Sequence, residues 1–248
     1  MTESRLIPRR SLQEIAEALD QRSIFIGGPV KDFERVGRLQ CSLMIREGLY
    51  PWLKVVDIGC GALRGGYWLI HFLNPDCYYG IEPNVDMLQA GLNEIVESEV
   101  IREKRPTFDH NAAFDTSVFN TKFDAFLCRS VWTHTSKAQI ETMLDNFLRD
   151  TTPDAFFLTS YLPAFWPWDD YRGRTFQGRS HVSNVTALVR HRRSWIRGAC
   201  QKRGLLVSEL PDGIANNQRW LKIFRLGYSH TQPLRKKASE SSLSSEAA

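Results

Sequence analysis

The fold of this 248-residue chain is decided by VVDIGCGALRGG, at residues 55–66. The stretch begins as a buried strand. The strand is followed by a turn with Gly59 and Gly61, and a helical pattern starts after the turn. Glycines at such a turn allow a tight bend, and they let a ligand lie against bare backbone amides at a helix N-terminus. The stretch therefore predicts a ligand site at the carboxyl end of a parallel strand.

A second motif, YYGIEP at residues 78–83, places Glu82 at the end of the next strand. A carboxylate about 20 residues after a glycine turn can accept hydrogen bonds from both hydroxyls of a ribose. The dinucleotide pattern GxGxxG would require a glycine where Arg64 stands, and Asp57 suits a positively charged amino group better than a pyrophosphate. These residues favour a ligand that carries both a ribose and an amino group.

Short apolar runs alternate with helix-length segments from residue 53 onward, which indicates parallel strands with helices on both faces. The connection between the last two strands is too short for a helical crossover, so they should form an antiparallel hairpin. The predicted strands are residues 54–58, 77–81, 106–108, 123–128, 155–160, 205–210 and 220–226, and the predicted helices are 63–73, 85–98, 137–148 and 185–203.

The composition, 42% hydrophobic and 24% charged, excludes a fibrous or wholly disordered protein. We expect a helical cap at residues 1–50, a main domain at 51–228 and a serine-rich, disordered tail at 229–248. The start of the chain has charges where a leader would be apolar, and residues 155–168 are too short to cross a bilayer, so a cytoplasmic protein is expected. The five scattered cysteines predict neither a disulfide framework nor a metal site.

The net charge of +4 is too small for a dedicated nucleic-acid binder. Basic residues cluster at 190–193, which by itself would suit RNA. Leu188, Trp195 and Ile196 fall at helical spacing beside them, however, and this favours an amphipathic helix with a solvated basic face. A nucleic-acid partner is therefore not expected.

These motifs resemble those of the class I (Rossmann-like) S-adenosylmethionine-dependent methyltransferases, and more narrowly a subgroup of small bacterial methyltransferases. The likeness rests on DIGCG at 57–61, IEP at 81–83, FDAF at 123–126 with SVWTH at 130–134, and the closing hairpin. Leu63 departs from the pattern, because it replaces the third glycine of DxGxGxG. The resemblance implies an α/β fold with a mostly parallel seven-stranded sheet, and S-adenosyl-L-methionine as the cofactor.

The same resemblance implies which residues hold the cofactor. Gly59 and Gly61 would approach its methionine part, Asp57 its amino group, and Glu82 its ribose. Asp57 has the alternative role of a helix cap, Asp109 competes with Asn111 for the adenine, and Arg38 is a surface arginine if it does not reach the cofactor carboxylate. The expected cofactor-binding residues are Asp57, Gly59, Cys60, Gly61, Glu82, Asn111, Arg38 and Arg129.

His134 follows the fourth strand, at the edge of the sheet where open α/β folds place their sites. Its imidazole can accept a proton near neutral pH, so we expect it to act as the catalytic base for a hydroxyl acceptor. The alternative is that it caps the next helix. RSVW at 129–132 stands where amino-group methyltransferases have an acidic/Asn-Pro-Pro-aromatic motif, which favours an oxygen acceptor.

The loop at residues 161–184 is long, aromatic and charged, which is typical of a functional loop. Aromatic faces beside hydrogen-bonding groups suit a sugar ring, so the loop is predicted to bind the acceptor; a hydrophobic flap on the cap is the alternative. Its expected substrate-binding residues are Trp166, Trp168, Asp169 and Tyr171. We therefore expect methylation of a hydroxyl on a small molecule, sugar or glycolipid. An RNA or protein methyltransferase and a non-catalytic cofactor-binding partner are the alternatives.

Overall fold

A computed structural model describes residues 10–178, 187–215 and 217–228 of the chain. The described strands form one seven-stranded sheet in the order β3-β2-β1-β4-β5-β7-β6. The first five strands in this order are parallel, whereas β7 runs antiparallel to both β5 and β6. The strands are β1 (Val55–Ile58), β2 (Tyr78–Ile81), β3 (Thr107–Asp109), β4 (Phe123–Cys128), β5 (Thr151–Tyr161), β6 (Leu205–Ala215) and β7 (Gln218–Arg225).

Helices cover both faces of this sheet. They are α1 (Leu12–Gln21), α2 (Phe33–Arg46), α3 (Gly66–Phe72), α4 (Val85–Ala90), α5 (Ser98–Lys104), α6 (Lys137–Asp150) and α7 (Arg193–Gln201). Short helical turns at Val30–Asp32, Gly91–Ile95 and Thr116–Phe119 complete the described elements. The predicted α/β fold, with its mostly parallel sheet and antiparallel C-terminal hairpin, is confirmed.

Strand β1 shows how alternation along a strand builds two core layers. Val55 packs into one hydrophobic cluster, together with Phe33 and Met44 of α2. Val56 and Ile58 belong to the cluster on the other face of the sheet, which includes residues of α6. Because successive side chains of a strand point to opposite faces, a continuous apolar run is buried on both sides. Helix α2 is thus seated directly on the layer that carries the glycine turn.

The chain order reverses between β2 and β4, which lie on either side of β1. Open α/β sheets bind ligands in the crevice at the carboxyl ends of the strands, at such a switch point. The turn of residues 59–65 and the loop that follows β4 both enter this crevice. The fold therefore brings the two motifs of the sequence to one place.

Two predicted helices differ in the structure. The helix predicted at 85–98 is divided by the turn Gly91–Ile95, and α5 begins only at Ser98. The helix predicted at 185–203 begins at Arg193, because His191 and Arg190 form strand-like bridges with Pro163 and Asp170. Residues 179–186, with part of that predicted helix, and the tail at 229–248 lie outside the described residues.

Helix α7 buries Ile196, Ala199 and Cys200, as its amphipathic pattern predicts. Across the described part of the chain, no helix is both long and apolar enough to cross a membrane. The five cysteines are buried free thiols. No group of three or more metal-ligating side chains comes together within the described ranges.

Candidate functional site

A cavity of about 490 Å³ opens at the carboxyl ends of β1, β2 and β4. This volume lies within the range of roughly 300–1,000 Å³ that is usual for small-molecule sites. The glycine turn forms its floor, and the cap contributes Gly27, Gly28 and Pro29. His134 and Leu188 line it from the loops beyond β4 and before α7.

The path of the glycine turn favours glycine at two positions. Gly59 and Gly61 have φ angles of +74° and +57°, a region that side chains disfavour. A Cβ atom at Gly59 would also overlap Val131 Cγ2. Leu63, which replaces the third glycine of the family pattern, has a φ of +59° and is fully buried. The turn keeps its left-handed residues and leaves bare backbone against the cavity.

Glu82 is a buried acid, 3% exposed, at the end of β2. Its Oε2 atom accepts a hydrogen bond from the Gly61 backbone N–H at 3.0 Å, and Oε1 accepts one from Asn84 N–H at 2.9 Å. Burial raises the pKa of this carboxyl, although both backbone donors favour its ionised form. Each oxygen has a further lone pair, so the side chain can accept two hydroxyl groups of a ligand.

Asp57 lies in the same cavity and is also buried. Its Oδ2 atom accepts a hydrogen bond of 2.9 Å from the Tyr78 hydroxyl. Burial, together with repulsion from Glu82, raises the pKa of Asp57 to about 7. A cationic group bound beside Asp57 would favour its ionised form, so this end of the cavity suits an ammonium group.

Two arginines reach the cavity on the side of the cap. Arg64 donates to the carbonyl oxygens of Gly27 at 2.9 Å and Gly28 at 3.3 Å, and its guanidinium lies 4.8 Å from the centre of the Phe33 ring. Arg129 forms no ion pair or side-chain hydrogen bond with any residue that the structure describes. Burial lowers the pKa of Arg129 to about 10, and burial plus repulsion from Arg129 lowers that of Arg64 to about 9.

These charges give the cavity two distinct electrostatic ends. Asp57 and Glu82 repel each other at the carboxylate end, and Arg64 and Arg129 repel each other near the cap. The partly buried Arg129 guanidinium is stabilised by an anion, since charge-assisted hydrogen bonds would satisfy its donors. The cavity is therefore complementary to a ligand that has an amino group and a carboxylate at separate positions.

His134 lines the cavity in a defined tautomer. Its Nδ1 atom lies 2.6 Å from the carbonyl oxygen of Gln177 and 3.2 Å from that of Ala187. Carbonyls only accept, so Nδ1 carries the proton and Nε2 is the nitrogen that can accept one. Burial lowers the pKa of His134, and its ring stacks on Phe176 at 5.6 Å between centroids. The imidazole is neutral at physiological pH.

The alternative role of His134 as a helix cap is excluded by Ser136. The Ser136 side chain accepts the backbone N–H of Gln139, and the Gln139 side chain accepts the backbone N–H of Ser136. This capping box occupies the N-terminus of α6. His134 is consequently available for a role in the cavity.

The loop after β4 is held by a ring of three polar side chains. Ser130, with a φ of +66°, donates its N–H to Ser160 Oγ at 2.8 Å. Ser160 donates to Gln218 Oε1 at 2.7 Å, and Gln218 donates to Ser130 Oγ at 2.9 Å. A left-handed serine costs energy that such a network offsets, so the loop is fixed where it enters the cavity.

The structure brings most of the expected cofactor residues together. One cavity is lined by Asp57, Gly59, Cys60, Gly61, Glu82, Arg129 and His134. The Cys60 thiol is buried beside the two carboxyl groups, which raises its pKa well above the usual value. It is therefore a neutral, inert part of the lining at physiological pH.

Arg38 and Asn111 lie outside this cavity, and these two expectations are corrected. Arg38 is on the exposed side of α2, where it forms an ion pair with Glu34 at 2.6 Å. The Asn111 amide donates to Asp109 Oδ1 at 2.6 Å and to the Asp115 carbonyl at 3.1 Å, so it stabilises its own turn.

The expected substrate residues surround a second cavity of about 690 Å³. Trp168, Asp169 and Tyr171 line it, and the Trp166 ring is stacked on Trp168. Both cavities include Leu188 in their walls. Phe165, Trp166 and Trp168 are exposed, so this part of the loop does not form a flap packed on the cap, whereas Phe176 is buried against His134. Residues 179–184 of the loop lie outside the described residues.

Several residues that line or support the cavity, four polar ones among them, are not predicted from the sequence. Gln40, Arg64 and Gln218 line the first cavity, and Tyr78 orients Asp57. Gln40 stands on the buried face of α2, and a polar residue on an apolar helix face was the available signal. Gln218 has no comparable local signal, because it reaches the site from the terminal hairpin.

No family model matches this chain, and no curated protein matches its sequence. Solved structures match it in three dimensions. Magnesium protoporphyrin IX methyltransferase from Synechocystis PCC 6803, with bound SAH, is 18% identical, with a TM-score of 0.58 over 85% of this chain and 95% of that chain. The glycopeptide N-methyltransferase MtfA, complexed with S-adenosyl-L-methionine, is 12% identical, with a TM-score of 0.57 over 77% of this chain and 94% of that chain. DesVI of Streptomyces venezuelae is 13% identical, with a TM-score of 0.56 over 88% of this chain and 100% of that chain.

The likeness to these structures concerns the fold, since the identities are low. The chain has the Rossmann-like fold of the class I methyltransferases, as the sequence predicts. It spans almost the full length of the structures it matches.

Proposed function

We propose that this chain is an S-adenosylmethionine-dependent methyltransferase that methylates an oxygen atom of a small-molecule acceptor. The observation that carries the proposal is one cavity in which two carboxyl groups, Asp57 and Glu82, lie at a left-handed glycine turn. The same cavity contains Arg129, which has no ion-pair partner among the described residues. The cofactor has a ribose and a zwitterionic amino acid, and this set of charges is complementary to both. Two of the matching structures named above, which share the fold, hold SAH or S-adenosyl-L-methionine.

The residues fit this cofactor one group at a time. Glu82 would accept the two ribose hydroxyls, and Asp57 would accept the amino group. Arg129 would donate hydrogen bonds to the carboxylate of the cofactor. We propose Arg129 for this role in place of Arg38. The backbone of Gly59, Cys60 and Gly61 would lie along the methionine part, since no side chain of the two glycines intervenes.

A base and a closed site are what the chain itself contributes to the reaction. When bound, S-adenosylmethionine supplies a methyl group on a positively charged sulfonium, which is already reactive toward an oxygen nucleophile. His134 Nε2 would accept the proton of the attacking hydroxyl, and the two carbonyls that hold Nδ1–H support this role because they leave Nε2 as the accepting nitrogen. Alignment of the acceptor contributes more than the base, since positioning alone is worth many powers of ten.

The cap would support this chemistry by limiting the access of water to the cavity. Arg64 binds the carbonyls of Gly27 and Gly28, so residues 27–29 are held over the cavity from the glycine turn itself. A dry cavity strengthens the electrostatic contacts of Asp57 and Glu82 with a ligand. The low pKa of His134 belongs to the same environment, because burial keeps the imidazole neutral.

Isothermal titration calorimetry with S-adenosylmethionine tests the cofactor. Saturable binding is expected, and NADH should not compete, because Arg64 removes the dinucleotide pattern. No heat of binding at millimolar cofactor, in a sample whose circular dichroism shows a folded protein, would overturn the proposal.

Mass spectrometry tests the acceptor atom. A host extract is incubated with cofactor that is isotopically labelled in the methyl group, with and without the protein, and the labelled products are fragmented. An O-linked label is expected. A label found only on nitrogen or carbon would contradict the oxygen acceptor and leave methyl transfer intact.

A further inference from the structure

The second cavity, of about 690 Å³, is separate from the cofactor cavity and adjoins it at Leu188. It is lined on one side by residues 167–172, between β5 and α7, and on the other by residues 188–190. Its volume falls in the range of small-molecule sites, roughly 300–1,000 Å³. A ligand that extends past Leu188 would therefore occupy both cavities.

Flat aromatic faces are exposed at this second cavity. Trp166 and Trp168 are parallel, with an interplanar angle of 1° and 5.2 Å between centroids. They remain 58% and 77% exposed, and the neighbouring Phe165 is 67% exposed. Each indole uses one face in the stack, so the outer faces are available to a ligand. Exposed aromatic patches of this kind mark interaction sites.

Asp170 anchors the base of the loop, whereas the side chains of Asp169 and Arg172 have no partner among the residues that the structure describes. Asp170 accepts hydrogen bonds from Lys137 Nζ at 2.6 Å and from Arg192 N–H at 3.1 Å. Among the described residues, the Asp169 carboxylate and the Arg172 guanidinium form no hydrogen bond or ion pair. Because Asp170 holds the loop in place, the side chains of Asp169 and Arg172, which have no partner in the described part of the chain, are preorganised for a polar ligand.

We propose that the second cavity binds a saccharide unit of the acceptor, so that the substrate is an oligosaccharide or a glycoside. The inference rests on the proposed methyltransferase function. A sugar ring has an apolar face of C–H groups, which packs on an indole, and vicinal hydroxyls, which a carboxylate or guanidinium binds in pairs. Trp168 supplies the first kind of contact, and Asp169 and Arg172 supply the second.

A membrane surface is the competing occupant of exposed aromatic side chains. Asp169 and Asp170 line the same cavity as Arg172 and Arg190, so its lining has no excess of positive charge to attract an anionic lipid surface. Trp168 and Tyr171 line the cavity together with these charged side chains, whereas insertion into a bilayer favours an apolar surface without charges. The chemistry of the rim therefore favours a sugar.

Tryptophan fluorescence tests the proposal without cofactor. The full-length protein is titrated to millimolar concentrations with four probes: maltotetraose, cellotetraose, chitotetraose and tetragalacturonate. Saturable quenching by at least one probe is expected. Trp168→Ala should weaken that binding by at least about tenfold, as loss of a central aromatic contact does. Asp169→Asn should weaken it by a smaller factor.

Trp52→Ala is the matched control, because Trp52 is also exposed but stacks on Tyr50 just before β1, at the opposite edge of the sheet. It should bind the sugar as the wild type does. Calorimetry should give the same S-adenosylmethionine affinity for Trp168→Ala and the wild type. If the wild type bound sugar but no cofactor, only the proposed function would fail.

Three results would overturn the saccharide site. The first is that none of the four probes gives saturable binding. The second is that binding persists unchanged in both Trp168→Ala and Asp169→Asn. The third is that phosphatidylglycerol vesicles, and none of the sugars, bind in a manner that depends on Trp168, which would make the loop a membrane contact.

Discussion

The Glu82 carboxylate accepts the backbone N–H of Gly61 at 3.0 Å, and this hydrogen bond ties the end of β2 to the glycine turn after β1. The second oxygen accepts the N–H of Asn84 at the start of α4. One buried side chain thus connects the two segments that the proposed ribose and methionine groups would contact. Its loss affects both the ligand contacts and the shape of the turn.

Glu82→Ala is expected to weaken S-adenosylmethionine binding by at least about tenfold, because hydrogen bonds to a charged group are each worth roughly 1.5–3 kcal/mol. Glu82→Gln should bind with intermediate affinity, since its amide oxygen still accepts Gly61 N–H. Calorimetry measures both, with exposed Glu99→Gln as the control. Unchanged affinity of a folded Glu82→Ala variant would remove Glu82 from the site.

The raised pKa of Asp57, about 7, predicts that cofactor affinity increases with pH. An ammonium group binds the ionised carboxylate, so binding below the pKa requires a proton to leave first. Affinity should rise between about pH 6 and pH 8 and then level off. Calorimetry in buffers of different ionisation enthalpy should detect the released proton. Asp57→Asn should bind more weakly and lose most of this pH dependence.

The same shift predicts the pH dependence of stability without ligand. The pKa of Asp57 in the folded protein lies above the ordinary value of about 3.9. The proton on this carboxyl therefore stabilises the folded state fully below about pH 4, and this stabilisation is lost as the pH rises through 7. The free energy of unfolding should therefore decrease between about pH 5 and pH 7, by up to about 1.4 kcal/mol per pH unit from this group. Urea unfolding of the wild type and Asp57→Asn provides the comparison.

Glu82 acts in the same direction, because its pKa is also raised by burial. Asp57→Asn should thus retain a weaker decrease of stability with pH, and its Asn side chain still accepts the Tyr78 hydroxyl. Identical pH dependence in the two proteins would show that Asp57 does not titrate in this range.

The sequence predicts the carboxylate end of the cavity because every element there is local. Asp57, Gly59 and Gly61 belong to one strand and turn, and Glu82 follows the next strand, so a one-dimensional pattern contains their geometry. A parallel sheet then brings the two strand ends together without further information. The fold class is predicted for the same reason, from the alternation of apolar runs and helices.

The cationic end depends on packing, and the pattern alone does not contain it. Arg38 and Gln40 are two residues apart on α2, so they face different directions, and only Gln40 reaches the cavity. In the sequence, Arg64 is notable only because it replaces a glycine of the GxGxxG pattern. In the structure it holds the cap by donating hydrogen bonds to the carbonyls of Gly27 and Gly28. Residues 187–192 of the helix predicted at 185–203 are not helical, because the bridges of Arg190 and His191 override the local helical pattern.

His134→Ala is expected to lower turnover by roughly 10²-fold, the lower end of general-base effects, while S-adenosylmethionine affinity stays the same. The acid limb of the wild-type pH–rate profile should lie below the ordinary histidine value of 6.5, because burial lowers the pKa of His134. The variant should lose that limb. His71→Gln, on the outer side of α3, is the control. Wild-type turnover of His134→Ala across neutral pH would exclude a base role.

Gly37 and Gly198 are both glycines within helices. Replacing each by alanine distinguishes the effect of packing between α2 and the glycine turn from the effect of helix propensity. A Cβ at Gly37 in α2 would overlap the Arg64 carbonyl, whereas a Cβ at Gly198 in α7 meets nothing within 4 Å. Gly198→Ala should stabilise the protein by about 0.5–1 kcal/mol, and Gly37→Ala should destabilise it by about 1–3 kcal/mol.

Urea unfolding measures these stabilities, and calorimetry then shows whether the cap matters for the ligand. Since α2 rests on the turn that carries Arg64, and Arg64 holds Gly27 and Gly28 over the cavity, Gly37→Ala should also weaken cofactor binding. Gly198→Ala should leave the affinity unchanged, because α7 does not line the cavity. If Gly37→Ala were as stable as the wild type, α2 would not pack directly on the glycine turn, and the cap would have to be held over the cofactor in another way.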